Sequence, residues 1–69
     1  MLTMNYRLVD TLQAFQLEEG DLVDIGGDIC KIISKQDTKD GYALIFEDEF
    51  GEKDVLEIFD DEIFYLYMP

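Results

Sequence analysis

The side chains able to do chemistry in this chain are almost all carboxylates. Residues 47–62 hold Glu47, Asp48, Glu49, Glu52, Asp54, Glu57, Asp60, Asp61 and Glu62 against Lys53 alone, a net charge of −8 over 16 residues. There is no histidine, so the usual proton carrier near neutral pH is missing. Ser34 is the only serine and Cys30 the only cysteine, set in an apolar segment with Ile29 and Ile32. Lys31 does not activate that thiol, because adjacent strand residues point to opposite faces. Cys30 reads as a small buried hydrophobe. Paired carboxylates could in principle carry acid–base work, but a chain of 69 residues offers little cleft to shift their pKa values. The chain is expected to be no enzyme and to need no cofactor.

Metal binding is the next chemistry to weigh. Asp37, Asp40 and the acids of 47–54 are hard oxygen donors of the kind calcium and magnesium accept. Their spacing fails the calcium-loop pattern, which wants acids at alternate positions and a glycine at the sixth. Asp37-Thr38-Lys39-Asp40-Gly41 reads better as a turn with a local side-chain bond. One cysteine and no histidine exclude a soft-metal site. Solvated acidic turns are the expectation, with no metal.

What remains is recognition. Acids on a hairpin make a coherent negative field. That field either keeps the protein soluble and its sheet edges unpaired, or steers it to a basic protein partner. On the second reading Glu47, Glu49, Glu52 and Asp54 are the contact residues. A narrower version has rows of carboxylates standing in for phosphates and inhibiting a DNA- or RNA-handling enzyme. Phe50, beside Gly51 in a turn, is either folded back onto the domain or offered to a partner. The last strand, Ile63–Met68, is apolar on both faces. Its second face is either covered by the N-terminal segment or forms a docking or homo-oligomer surface anchored by Phe64, Tyr65 and Tyr67. Direct nucleic-acid binding is disfavoured, since phosphates need a basic footprint.

Composition bounds the scaffold that positions these residues. Seventeen Asp plus Glu against five Lys plus Arg give a net charge of −12. The charge is uneven: residues 1–35 carry six acids and three bases, residues 36–69 eleven acids and two bases. Sixty-nine residues make one small domain over 1–69. Hydrophobic residues at 48% and aromatics at 13% set it apart from acidic disordered tails. No apolar run approaches the roughly 20 residues of a membrane span, and no signal peptide is visible. With a lone cysteine, these features point to a cytoplasmic protein.

Five glycines punctuate short runs rich in Val, Ile, Leu, Phe and Tyr, the pattern of a small all-β fold. Leu22–Ile25 and Ile29–Ser34 flank Gly26-Gly27, a tight hairpin over Asp24–Ile29. A turn at 37–41 follows, where Gly41 is expected to take the positive φ of a bulged loop. In Tyr42–Glu47, Tyr42, Leu44 and Phe46 share one face, and Ala43, Ile45 and Glu47 the other. A second hairpin turns around Glu49–Glu52 into Val55–Phe59, and Asp60-Asp61 turns into Ile63–Tyr67. The first residues are ambiguous: Leu8, Leu12 and Phe15 fit a short helix, whereas Tyr6, Leu8, Leu12 and Ala14 fit a strand, with Asp10 the exception. A strand over roughly 5–15 is preferred, because it adds to a sheet already forming.

The stretch 17–32, Leu-Glu-Glu-Gly-Asp-Leu-Val-Asp-Ile-Gly-Gly-Asp-Ile-Cys-Lys-Ile, resembles the opening of a small SH3-like barrel. It is similar to KOW-type barrels and the N-terminal barrel of elongation factor P, and resembles short phage-encoded proteins. The resemblance implies a barrel of five to six strands whose second strand is long and bent. KOW-type barrels that meet RNA do so with basic loops, whereas the loops here carry Asp37, Asp40, Asp48, Glu49, Glu52, Asp60 and Asp61. The resemblance therefore implies the fold and not RNA binding.

Overall fold

The computed structural model describes residues 6–69. The chain forms six strands and one short 3-10 turn: β1 Arg7–Gln13, the turn Ala14–Gln16, β2 Leu22–Ile25, β3 Asp28–Asp37, β4 Gly41–Glu47, β5 Lys53–Phe59 and β6 Ile63–Met68. They build one antiparallel sheet in the order β1-β6-β2-β3-β4-β5, so the first and last strands are neighbours. The preferred strand at the start is observed, and the helical alternative shrinks to the 3-10 turn. Residue 5, where that strand was expected to begin, lies outside the described residues.

The connection between β5 and β6 dictates the sheet's shape. Phe59 and Ile63 are four residues apart, a reach of at most about 14 Å. In a flat sheet β5 would stand four strand spacings from β6, about 19 Å. The sheet therefore curls on itself. Among the described residues no ladder joins the two edge strands, β1 and β5, so the curled sheet is open.

Inside the curl lies the core: Ala14, Leu17, Val23, Ile32, Leu44, Ile58 and Phe64, with Leu12, Ile25, Tyr42, Phe46, Leu56 and Leu66 packed against it. Period-two alternation explains most of this set, since Tyr42, Leu44 and Phe46 pair across the ladder with Ile58, Leu56 and Asp54. Ala14 and Leu17 come from the 3-10 turn and the residue after it, and both are fully buried. Lys35 ties that turn to the sheet. Its Nζ donates to the Phe15 carbonyl at 2.9 Å and stands 4.7 Å from the centre of the Tyr42 ring.

Two bulges adjust the alternation. The β1–β6 register skips at Val9, which places Asp10 on the core face opposite Leu66 and accounts for its misfit in the strand pattern. The β3–β4 register skips at Ile33, which bends the ten-residue β3. Gly26 and Gly27 both have positive φ, 63° and 94°, and form the two-residue hairpin expected there. Gly41 differs from expectation: it is not among the positive-φ glycines. A Cβ there would collide with the Ile58 carbonyl oxygen and stand 2.8 Å from Phe59 Cα and 2.9 Å from Asp60 N. Glycine is needed at 41 because the β5 backbone passes against it.

Candidate partner-binding surface

The β4–β5 hairpin tip is organised by one side chain. Gly51 N–H donates to the Asp48 carbonyl at 3.1 Å, and Asp48 N–H donates to the Glu52 carbonyl at 2.9 Å. Asp48 Oδ1 accepts from both Phe50 N–H and Glu52 N–H, each at 2.9 Å. Gly51 supplies the positive φ, 82°, that closes the turn. Asp48 was seen in the sequence only as one acid of a run. The spacing Asp48-x-x-Gly51 is the signal that marks it as the residue positioning the tip.

This fixed turn holds Phe50 at 89% exposure, clear of the domain. Glu49 and Glu52 flank it in the chain, and Glu47 stands at the base, 3.9 Å from Lys53 Nζ. That exposed ion pair contributes little to stability and leaves the tip strongly negative. Asp54 is on the opposite face from Glu47, in register with Phe46, and its Oδ1 accepts from Val55 N–H at 2.7 Å.

The nine acids of 47–62 do not form a single row. One group sits at the tip and the other at Asp60, Asp61 and Glu62, at opposite ends of β5, a strand about 20 Å long. Glu57 lies between them on the outer face, opposite Ala43. Among the described residues no three carboxylate or thiol groups converge as metal ligands. Two concavities among the described residues are shallow: one of about 250 Å³ lined by Thr38, Lys39, Asp40, Glu57, Ile58 and Phe59, and one of about 170 Å³ between Gly20–Leu22 and Leu66–Pro69.

The aromatic set of the last strand divides. Phe64 is 7% exposed and belongs to the core, in register with Leu12. Its place among the anchors is therefore corrected, because an apolar strand does not reveal which of its faces turns inward. Tyr65 and Tyr67 are on the other face with Ile63, and Tyr65 and Ile63 remain 50% and 62% exposed. The N-terminal strand does not cover that face: β1 lies alongside β6 as its ladder neighbour.

Cys30 is buried, and its thiol donates to the Asp28 carbonyl at 3.7 Å. Burial pushes its pKa upward, and the carboxylates of Asp28, Asp48, Glu49 and Asp24 push the same way. Such a thiol stays protonated at neutral pH and is a poor nucleophile. Among the described residues no helix is long and apolar enough to cross a membrane. Comparison of the chain with protein-family models, curated proteins and solved structures finds no match.

Proposed function

We propose that the protein is a non-enzymatic cytoplasmic binding module in the form of an SH3-like barrel, with a resemblance to short phage-encoded proteins. Its acidic hairpin tip docks onto a basic protein partner. The observation that carries this reading is Phe50, fully offered to solvent on a turn that Asp48 holds with four hydrogen bonds. An aromatic anchor fixed before binding loses little conformational freedom on docking. The surrounding Glu47, Glu49 and Glu52 add steering toward a positive rim. Support for the SH3-like form comes from the Gly20-Asp21 entry, the Gly26-Gly27 hairpin, the bent β3 and the short β5–β6 link across the curl.

The test is affinity capture from lysate of the source cell or its host, eluted with rising salt, using the natural chain and two variants. Phe50→Ser is expected to leave the fold intact and to weaken capture by about 30-fold or more, the scale of a central aromatic anchor. Glu49→Lys with Glu52→Lys is expected to abolish it. Undiminished capture by Phe50→Ser sinks the reading. Displacement by duplex DNA would redirect it to mimicry of nucleic acid at the same tip.

A further inference from the structure

The outer face of the β1–β6 pair sets Leu8, Thr11 and Gln13 in register with Tyr67, Tyr65 and Ile63. None of these six is charged, in a chain where 32% of residues are. Leu8, Ile63 and Tyr65 are each at least half exposed. Charge resumes on the same face at Asp24 of β2 and Lys31 of β3. A basic partner gains little from these two strands, whose outward side chains include no acid. The surface suits an occupant that is itself apolar, with neutral hydroxyl and amide groups.

A second copy of the chain meets that description. Two molecules at −12 repel wherever their carboxylates meet, and the outward side chains of β1 and β6 bring no carboxylate of their own to a contact, Asp24 standing at its margin. It is also self-complementary, as a two-fold interface must be: tyrosine and isoleucine can stack on their own counterparts, and Thr11 and Gln13 supply neutral hydrogen bonds. The sheet edges offer a copy no easier route. Thr11 N–H on β1 donates to Asp10 Oδ1 at 2.8 Å, and on β5 Val55 N–H and Phe59 N–H donate to Asp54 and Glu62 at 2.7 and 2.6 Å. A strand added at either edge would have to displace a carboxylate.

We infer that the outer face of β1 and β6 is a self-association surface, on which a second copy packs face to face about Tyr65. Two strands present less than the roughly 800 Å² per partner of a stable interface, so the dimer is weak and exchanges rapidly. The hairpin carrying Phe50 takes no part in it.

Sedimentation from about 10 μM to about 1 mM tests the inference, a range chosen for interfaces below standard size. The natural chain is expected to rise from 8.0 kDa toward twice that mass. Tyr65→Glu and Thr11→Glu are each expected to hold it at the monomer mass. Thr11 is exposed on an edge strand, so its variant reports on the face even if Tyr65→Glu unfolds. Phe50→Ser is expected to associate like the natural chain. A constant 8.0 kDa, association that survives both face variants, or loss with Phe50→Ser would each overturn the inference.

Discussion

Asp48, half-buried at the hairpin tip, and the buried Cys30 are coupled in the electrostatics of the molecule. The Asp48 carboxylate is committed to two backbone donors of the hairpin tip, and its charge is one of four that keep the Cys30 thiol protonated. The consequence for stability has a definite sign. The folded-state pKa of Cys30 is raised, so the thiol's contribution is whole below the unfolded value of about 8.5. It is lost as pH climbs from there through the higher folded value, because the unfolded chain then releases its proton first. The natural protein is expected to hold a steady urea midpoint between pH 7 and 8 and to lose stability from about 8.5 upward. Cys30→Ala is expected to start lower, by the cost of a small cavity, and to show a flatter decline over the same range. Parallel declines in the two proteins would remove the thiol as the cause.

At the scale of elements, the two edge strands share one device. Asp10 on β1 and Asp54 on β5 both lie on the core-side face, and each accepts a hydrogen bond from the backbone N–H of the next residue. Inward-turned charge on an edge is a known guard against strand addition. Asp54→Ala is expected to expose the β5 edge and produce aggregates that bind a cross-β dye, whereas Asp54→Asn, which keeps an acceptor oxygen, does so less. Glu57→Gln removes an equal charge from the same strand without freeing a backbone donor and is expected to stay soluble. Equal aggregation of all three would reduce the effect to net charge. The sequence made the short-range parts of these elements readable. Gly26-Gly27 permits one tight hairpin, and the alternation of Tyr42–Glu47 shows which residues share a face without reference to any neighbour. Long-range placement was not readable. Gly41 owes its identity to the backbone of Ile58 and Phe59, seventeen and eighteen residues further along the chain, and the exception at Asp10 depends on a bulge visible only once β6 is paired. The burial of Phe64 is hidden for the same reason, since its inward direction follows from its register with Leu12.

The whole molecule joins a small curled sheet to a large and uneven charge. The folded chain gathers its acids into a tip group and a turn group at opposite ends of β5, about 20 Å apart. At an ionic strength of about 0.01 M the screening length is about 30 Å, so both groups and the remaining acids repel one another. At about 0.1 M it falls to about 10 Å, and repulsion survives only within each group. The melting temperature is therefore expected to rise in two stages with sodium chloride: steeply up to about 0.1 M as the groups decouple, then more gently toward about 1 M. Charge reversal within one group, as in Glu49→Lys with Glu52→Lys, is expected to shrink both stages. Calcium or magnesium at matched ionic strength is expected to follow the sodium curve, because among the described residues the carboxylates converge on no common ligand point. A divalent gain well above that curve would show that the acids of 47–62 close around an ion, and the hairpin would then be a metal loop before it is a docking tip.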